Sequence, residues 1–241
     1  MKKKLVGLGV AALLIGGVGI ANATLTTIGT ASYGGSDYNL IWDDDNNGNS
    51  VVWLDYSNAP ANWSAQTAWA AGLDGALSYN IDAEYSVTWD TDWRLGSTVD
   101  GVYQYGHDGT TTAGYNITTS EMGHLFYEEL GNSGYYNTDG STNSYSAPEY
   151  FLTETGDFNN LIASWYWSGT EYANYSDIAW NFNMGYGGQG YYPQVISGYG
   201  LALRSGQVST APVPEPATML LFGTGLVGLI GTRRRKKGSR V

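Results

Sequence analysis

Cysteine is absent from this chain of 241 residues. Without thiols the protein can form no disulfide framework, no cysteine nucleophile and no Cys-ligated zinc or iron–sulfur site. Several enzyme classes and the small disulfide-stapled folds are therefore excluded.

Basic residues are scarce, with 11 Lys and Arg against 22 Asp and Glu and a formal net charge of -11. Binding to nucleic acid draws its affinity from clustered Lys and Arg, so no nucleic-acid partner is expected. The 42% hydrophobic and 14% aromatic content can offset the ordering entropy of folding, which argues against disorder.

The first residues have the three parts of a secretory signal peptide. Lys2, Lys3 and Lys4 are followed by an apolar stretch over residues 5–20 and by Ala21-Asn22-Ala23. This order predicts export and cleavage after Ala23, leaving a mature chain that begins at Thr24. The alternative is a retained membrane anchor.

The C-terminal end carries a second apolar segment. Pro214, Glu215 and Pro216 precede an uncharged stretch over residues 217–232, and five consecutive cations occupy 233–237. As a helix the stretch would be about 24 Å long, a marginal transmembrane span. The cations predict a cytoplasmic end. A buried core helix is the alternative.

This tail, in its order and spacing, resembles the PEP-CTERM sorting signal. The resemblance implies recognition of Pro214, Glu215 and Pro216 by an exosortase-type membrane enzyme. It also implies residence in the inner membrane before processing, and later delivery to the surface of a bacterium that makes exopolysaccharide.

The predicted exported domain, residues 24–211, is far more acidic than the whole chain. It holds only two cations, Arg94 and Arg204, and 21 of the 22 acidic residues, which gives a formal charge of -19. The basic residues of the chain are concentrated in its two end segments.

Local patterns in the exported domain predict two helices, over residues 65–73 and 121–130, each with a capping Asn or Ser before it. Apolar and aromatic runs predict strands at 51–54, 164–168, 178–183 and 199–204. Helices early and strands late predict an α+β domain with short antiparallel strands.

Four segments in the same order resemble the landmarks of the Lcl C-terminal domain family, over roughly residues 42–206. The resemblance implies a C-type-lectin-like fold. Gly96 and Gly169 depart from the family pattern, which has Pro and Ser at these places. The segments are Trp93-Arg94-Leu95, Trp165-Tyr166-Trp167-Ser168-Gly169-Thr170-Glu171-Tyr172, Ala179-Trp180-Asn181-Phe182 and Leu201-Ala202-Leu203-Arg204.

Alternating oxygen-bearing residues form the first half of a calcium loop. Asp43, Asp45 and Asn47 precede Gly48, but the twelfth position is not the usual Glu, and Asp55 lies one residue beyond it. A calcium ion held by these four residues is a possible cofactor. An acidic hairpin tip is the alternative.

The two arginines predict structural ion pairs, because a partly buried guanidinium requires a carboxylate. We expect at least one of Arg94 and Arg204 to pair with Glu171 or a nearby Asp. A site for a sugar carboxylate or sulfate is the alternative, which the negative field of the domain opposes.

Tyrosines in Gly- and Asn-rich loops are candidates for stacking on sugar rings. These candidate glycan contacts are Tyr135, Tyr136, Tyr186, Tyr191 and Tyr192. Trp165, Trp167 and Trp180 lie in predicted strands, where a core position is expected.

Catalytic motifs are not found, and the two histidines, His107 and His124, have no nucleophile motif near them. The sequence therefore favours a secreted, surface-sorted, non-enzymatic binding or matrix protein associated with exopolysaccharide or the cell envelope. A purely structural acidic surface protein with calcium-dependent association is the second hypothesis, and a hydrolase is the third.

Overall fold

The computed structural model describes residues 25–144 and 150–211. Within these ranges no helix combines the length and apolar content needed to cross a bilayer. The predicted signal peptide, the sorting residues Pro214, Glu215 and Pro216, and the predicted transmembrane helix lie outside the described residues.

Short strands make up most of the regular structure. In chain order they are β1 (Leu25–Tyr33), β2 (Ser36–Asn46), β3 (Asn49–Leu54), β4 (Asn58–Ala61), β5 (Ser78–Ile81), β6 (Tyr85–Trp89), β7 (Arg94–Leu95), β8 (Tyr105–Gly106), β9 (Ala113–Tyr115), β10 (Trp165–Glu171), β11 (Ile178–Asn183), β12 (Gly188–Pro193), β13 (Gly198–Gly200) and β14 (Ala202–Thr210). Helix α1 (Trp63–Gly72) continues into a 3₁₀ turn (Leu73–Gly75), and α2 (Glu121–His124) into a π-helical turn (Leu125–Glu129).

The strands form two sheets. The first has the order β5-β1-β2-β3-β14-β6, with β7 also paired to β14, and all its pairs are antiparallel. Its edge strands β5 and β6 are consecutive in the chain and contact each other, so the sheet is curled. The second has the order β4-β13-β10-β11-β12-β9-β8, with parallel pairs only at β10–β13 and β8–β9.

The hairpin between β2 and β3 shows why the acidic segment folds as it does. Asn47 and Gly48 occupy the turn with φ of 53° and 80°. A two-residue turn with both φ values positive matches the twist of the flanking strands, and Asn-Gly adopts it at the lowest steric cost. The acidic segment therefore forms a β-hairpin, which was the alternative to a calcium loop.

Strand β3 is buried on both faces. Its residues Val51 to Leu54 have no exposed surface. Val51 and Trp53 belong to a cluster shared with α2 and the second sheet, whereas Val52 and Leu54 belong to a cluster that includes α1 and Trp167. The first sheet therefore separates two apolar layers, and α1 and α2 cover different faces of it.

The predicted α+β, C-type-lectin-like fold is wrong. Strand residues account for 44% and helical residues for 12%, and no lectin-like fold is identified in the described part of the chain. The two helices and three of the four predicted strands are present, whereas the predicted strand over residues 199–204 divides at Leu201 between β13 of the second sheet and β14 of the first. Strands β1 and β2 are among those that were not predicted. Their sequence mixes Thr, Gly, Ser and Asp with apolar residues, so no strict alternation marks the two strands that complete the first sheet.

Gly29 provides a test of the curled sheet. It lies where the register of β1 shifts, with φ of 141°, and an added Cβ would come within 2.3 Å of the Asn80 carbonyl oxygen. Replacing Gly29 with Ala should lower the free energy of unfolding by about 3 kcal/mol, measured by urea unfolding of the full chain. Gly72→Ala is the matched control, because a Cβ there meets nothing within 4 Å, and its effect should stay within about 1 kcal/mol. Equal effects of the two changes would contradict the close β1–β5 packing.

Candidate functional site

A cleft of about 260 Å³ opens on the second sheet, where β8, β9, β11 and β12 meet. Tyrosine, glycine and side-chain amides supply its whole lining. The lining residues are Tyr103, Tyr105, Gly114, Tyr115, Asn181, Asn183, Tyr186, Gly188, Gln189, Gly190, Tyr191 and Tyr192.

The pairing of β11 with β12 creates a trough in this cleft. Asn181 lies opposite Gly190, and Asn183 lies opposite Gly188. Directly opposed residues of an antiparallel pair project from the same face, so two asparagines face two positions that carry no side chain. An added Cβ at Gly190 would meet nothing within 4 Å. We refer to these four residues as the glycine trough.

Aromatic rings stand around the glycine trough. A Cβ added at Gly188 would lie 3.4 Å from the ring of Tyr115. The rings of Tyr192 and Trp165 meet edge to face with centroids 5.1 Å apart. Tyr103 and Tyr191, which meet edge to face at 4.6 Å, also line the cleft, but the ring of Tyr191 lies on the other face of β12, opposite Trp180. Rings that pack on one another are held in fixed orientations, so the walls of the cleft are organised before any ligand arrives.

Three tyrosines of the cleft, Tyr103, Tyr105 and Tyr115, remain neutral phenols at physiological pH. Burial, followed by the neighbouring phenols, raises the pKa of Tyr115 to about 12. Burial also raises the pKa values of Tyr103 and Tyr105. Each of these groups therefore keeps its hydroxyl proton and can donate as well as accept a hydrogen bond.

Two amides of the cleft are incompletely satisfied. Asn181 is buried, and its Nδ2 has no hydrogen-bond partner among the described residues. Gln189 donates through Nε2 to the Thr112 carbonyl at 2.9 Å, while its buried Oε1 has no partner in the same residues. A buried polar group without a partner costs about 1–3 kcal/mol. Asn181 lies on the face of the glycine trough, so a ligand there that pairs with its Nδ2 recovers part of that cost, whereas Gln189 lies opposite Phe182 on the other face.

Three of the five tyrosines predicted to contact a glycan line the cleft, namely Tyr186, Tyr191 and Tyr192. Tyr135 and Tyr136 lie beside it instead, where Tyr136 packs on Tyr115 at 5.0 Å and on His107 at 4.3 Å. The contribution of Tyr103, Tyr105 and Tyr115, in and beside β8 and β9, was not predicted from the sequence. The feature that could have indicated it is the spacing of these tyrosines in a Gly- and Thr-rich segment.

The four predicted calcium ligands are not brought together. Asp43 is buried and accepts from Asn46 Nδ2 at 2.8 Å and Trp53 Nε1 at 3.1 Å. Asp45 accepts from the turn amide of Gly48 at 3.0 Å, beside the exposed Asn47.

Asp55 lies beyond the opposite end of the hairpin. It accepts from the backbone amides of Asn159 and Asn160, both at 2.9 Å, and so fixes the loop before β10. No group of three or more His, Cys, Asp or Glu side chains in the described ranges could hold a metal ion.

Both arginines of the exported domain are paired. Arg94 makes a two-pronged contact with Glu121, at 2.6 and 2.7 Å, and Glu121 also accepts from the Ser97 amide. Arg204 contacts Asp74 at 2.7 Å and lies over the ring of Trp89 at 4.8 Å.

The predicted partner Glu171 pairs with neither arginine. It accepts a hydrogen bond from Gln194 instead. The ion pairs of Arg94 and Arg204 tie β7 to α2 and β14 to the 3₁₀ turn, and neither guanidinium lines the cleft.

Comparison with known families identifies the tail. Residues 212–236 match the family model described as the PEP-CTERM protein-sorting motif. This motif indicates an exported protein with a C-terminal membrane anchor and later surface display, and such signals are generally processed by an exosortase. Pro214, Glu215 and Pro216 lie inside the matched range.

No curated protein and no solved structure matches the chain. The resemblance to the Lcl C-terminal domain family over residues 42–206 is not supported by any of the comparisons. The assignment of the cleft therefore depends on its own geometry.

The burial of the Asp43 carboxyl can be tested through the pH dependence of stability. Burial raises its pKa to about 6, against 3.8 for an ordinary Asp. Because the folded state holds this proton more tightly than the unfolded chain, the free energy of unfolding falls as pH rises between about 4 and 6. Asp43→Asn removes the titration, so its stability relative to the parent should improve by about 2 kcal/mol between pH 4 and pH 7.5, measured by urea unfolding.

The control for this test is Gly72→Ala, which changes no titratable group and adds a Cβ that meets nothing within 4 Å. Its stability relative to the parent should be the same at the two pH values. The same pH response in both variants would contradict burial of the Asp43 carboxyl as the cause.

Proposed function

We propose that the exported domain is a non-enzymatic carbohydrate-binding module, and that it binds an exopolysaccharide or another envelope glycan through the tyrosine-lined cleft. The observation that carries the proposal is the combination of the glycine trough with surrounding neutral tyrosines and a buried, unpartnered Asn181 Nδ2. Sugars present apolar C–H faces and many hydroxyl groups. The tyrosine rings can pack on the C–H faces, and the amides and phenols can hydrogen-bond to the hydroxyl groups.

The aromatic rings suit the faces of a sugar ring. Aromatic side chains gain most from apolar surface placed against the ring, and the tyrosine hydroxyl adds a polar contact at its edge. Tyr192 and Tyr105 are both exposed, at 44% and 54%, so part of each ring is available to a ligand. The trough between such rings provides space that larger residues at positions 188 and 190 would fill.

The amides suit the hydroxyls. A sugar hydroxyl can accept from Asn181 Nδ2 and donate to a neighbouring oxygen, because a hydroxyl has both capacities. Binding would then satisfy a donor whose burial costs free energy in the unliganded protein. This gain favours a ligand rich in hydroxyl groups over a purely apolar one.

The composition of the lining supports binding rather than hydrolysis. Glycoside hydrolysis ordinarily uses two carboxyl groups that flank the scissile bond. The twelve lining residues contain neither a carboxyl nor an imidazole group. The sorting tail supplies the location, since a protein displayed at the cell surface meets matrix glycans there.

Binding of the full chain to a broad glycan array tests the proposal. The chain should be purified in a polyoxyethylene detergent, because detergents with sugar headgroups would compete for the cleft. Gly190→Leu should reduce the affinity for any glycan that binds by at least tenfold, since its side chain fills the trough where no atom lies within 4 Å of the new Cβ. Tyr192→Ala should reduce it through loss of a ring face.

Tyr175→Ala is the control variant, because Tyr175 is 62% exposed but does not line the cleft. Its affinity should equal that of the parent. Absence of binding to every glycan on the array would refute the proposed function. Equal loss in the Tyr175 and Tyr192 variants would show nonspecific aromatic adhesion in place of a site.

A further inference from the structure

Both arginines of the described residues make structural contacts within the protein. Arg94 is held by Glu121, and Arg204 is held between Asp74 and the ring of Trp89. Residues 25–211 contain no other Arg or Lys. An anion that entered the cleft would therefore find no guanidinium or ammonium group to neutralise it.

The lining of the cleft is uncharged in a domain that is strongly acidic. None of its twelve residues is Asp, Glu, Lys, Arg or His. The polar groups that it offers are phenols, amides and backbone atoms. Neutral donors compensate a buried carboxylate only in part, because a charge removed from water needs an opposite charge as well as hydrogen bonds.

One carboxylate, that of Asp100, is bonded to a residue that packs on the lining of the cleft. Asp100 accepts from Trp180 Nε1 at 2.7 Å, and Trp180 stacks against Tyr103 of the lining. Charges of one sign around a cleft with low-dielectric walls repel a ligand of the same sign.

From these observations we propose that the cleft selects uncharged sugar residues and rejects uronic acids and sulfated sugars. This inference rests on the proposed carbohydrate-binding function and adds the chemical class of the ligand. Hydroxyl groups fill the hydrogen-bonding capacity of Asn181 without bringing a charge into the cleft. A carboxylate or sulfate would enter without a counterion, in a domain that carries many more acidic than basic residues.

Matched oligosaccharides isolate the effect of charge. Cellohexaose and its C6-oxidised uronate hexamer share one backbone, and β-1,4-mannohexaose and the mannuronate hexamer share another. Titration calorimetry with the full chain in polyoxyethylene detergent at pH 8, where an imidazole is ordinarily neutral, measures each affinity. For any backbone that binds, the uronate should bind at least tenfold more weakly at 20 mM salt. The difference should shrink at 500 mM salt, where charges are screened.

Adding one positive charge to the protein tests the same inference without changing the ligands. Gly190→Lys places an ammonium group in the trough, at a position where a Cβ meets nothing within 4 Å and φ is not positive. Its side chain occupies the trough as that of Gly190→Leu does, so the neutral member should bind more weakly than it binds to the parent. The uronate gains a counterion at the same time, so the ratio of the two affinities should fall to one or invert. Gly72→Lys adds the same charge at the exposed end of α1, away from the cleft, and should keep the preference of the parent.

The outcomes separate this inference from the proposed function. Weaker binding of the uronates by the parent and by Gly72→Lys, together with its reversal in Gly190→Lys, supports the selection of uncharged sugars. Equal or tighter binding of the uronates by the parent overturns that selection and leaves carbohydrate binding intact. If neither these pairs nor any glycan on the array binds, both the proposed function and the inference fail. Thermal melting of each variant verifies that it is folded.

Discussion

Burial of β3 on both faces from Val51 to Leu54 is the constraint on which the rest of the structure depends. Because both faces of this strand are covered, the polar group of its largest residue must be satisfied internally, and Trp53 Nε1 donates to Asp43. That contact requires a carboxyl group inside the protein, which in turn raises the pKa of Asp43. A residue whose sequence context suggested a calcium ligand therefore serves to satisfy the core.

The second sheet owes its open face to two positions of β12, Gly188 and Gly190, that carry no side chain. Strand β10, which lies beyond β11, packs Trp167 into the layer that also holds α1, whereas Gly188 and Gly190 leave the same face of β12 uncovered. Glycine is costly inside a strand because it adds no packing and loses backbone entropy. Two such residues opposite two asparagines indicate a surface shaped for something other than the stability of the sheet.

The sequence predicted those features that local pattern determines. The strand over residues 178–183 has the bounds of β11, because an apolar and aromatic run with turn residues on each side is a local signal. The glycine trough could not be predicted, since it depends on the register of β11 against β12. Arg94 likewise pairs with Glu121, 27 residues away, and no local pattern indicates that partner.

The distribution of charge connects the stability of the domain with the character of its cleft. The domain needs its arginines to tie its helical segments to the first sheet, and with only two of them none is left for a ligand. The many acidic residues keep an exported protein soluble through net charge, but they also create a field that disfavours anionic polymers. A neutral cleft is the kind of binding surface least affected by that field, because a ligand without charge neither gains nor loses from it. The acidity of the domain and the aromatic, amide-lined character of the cleft are thus compatible features of one surface protein.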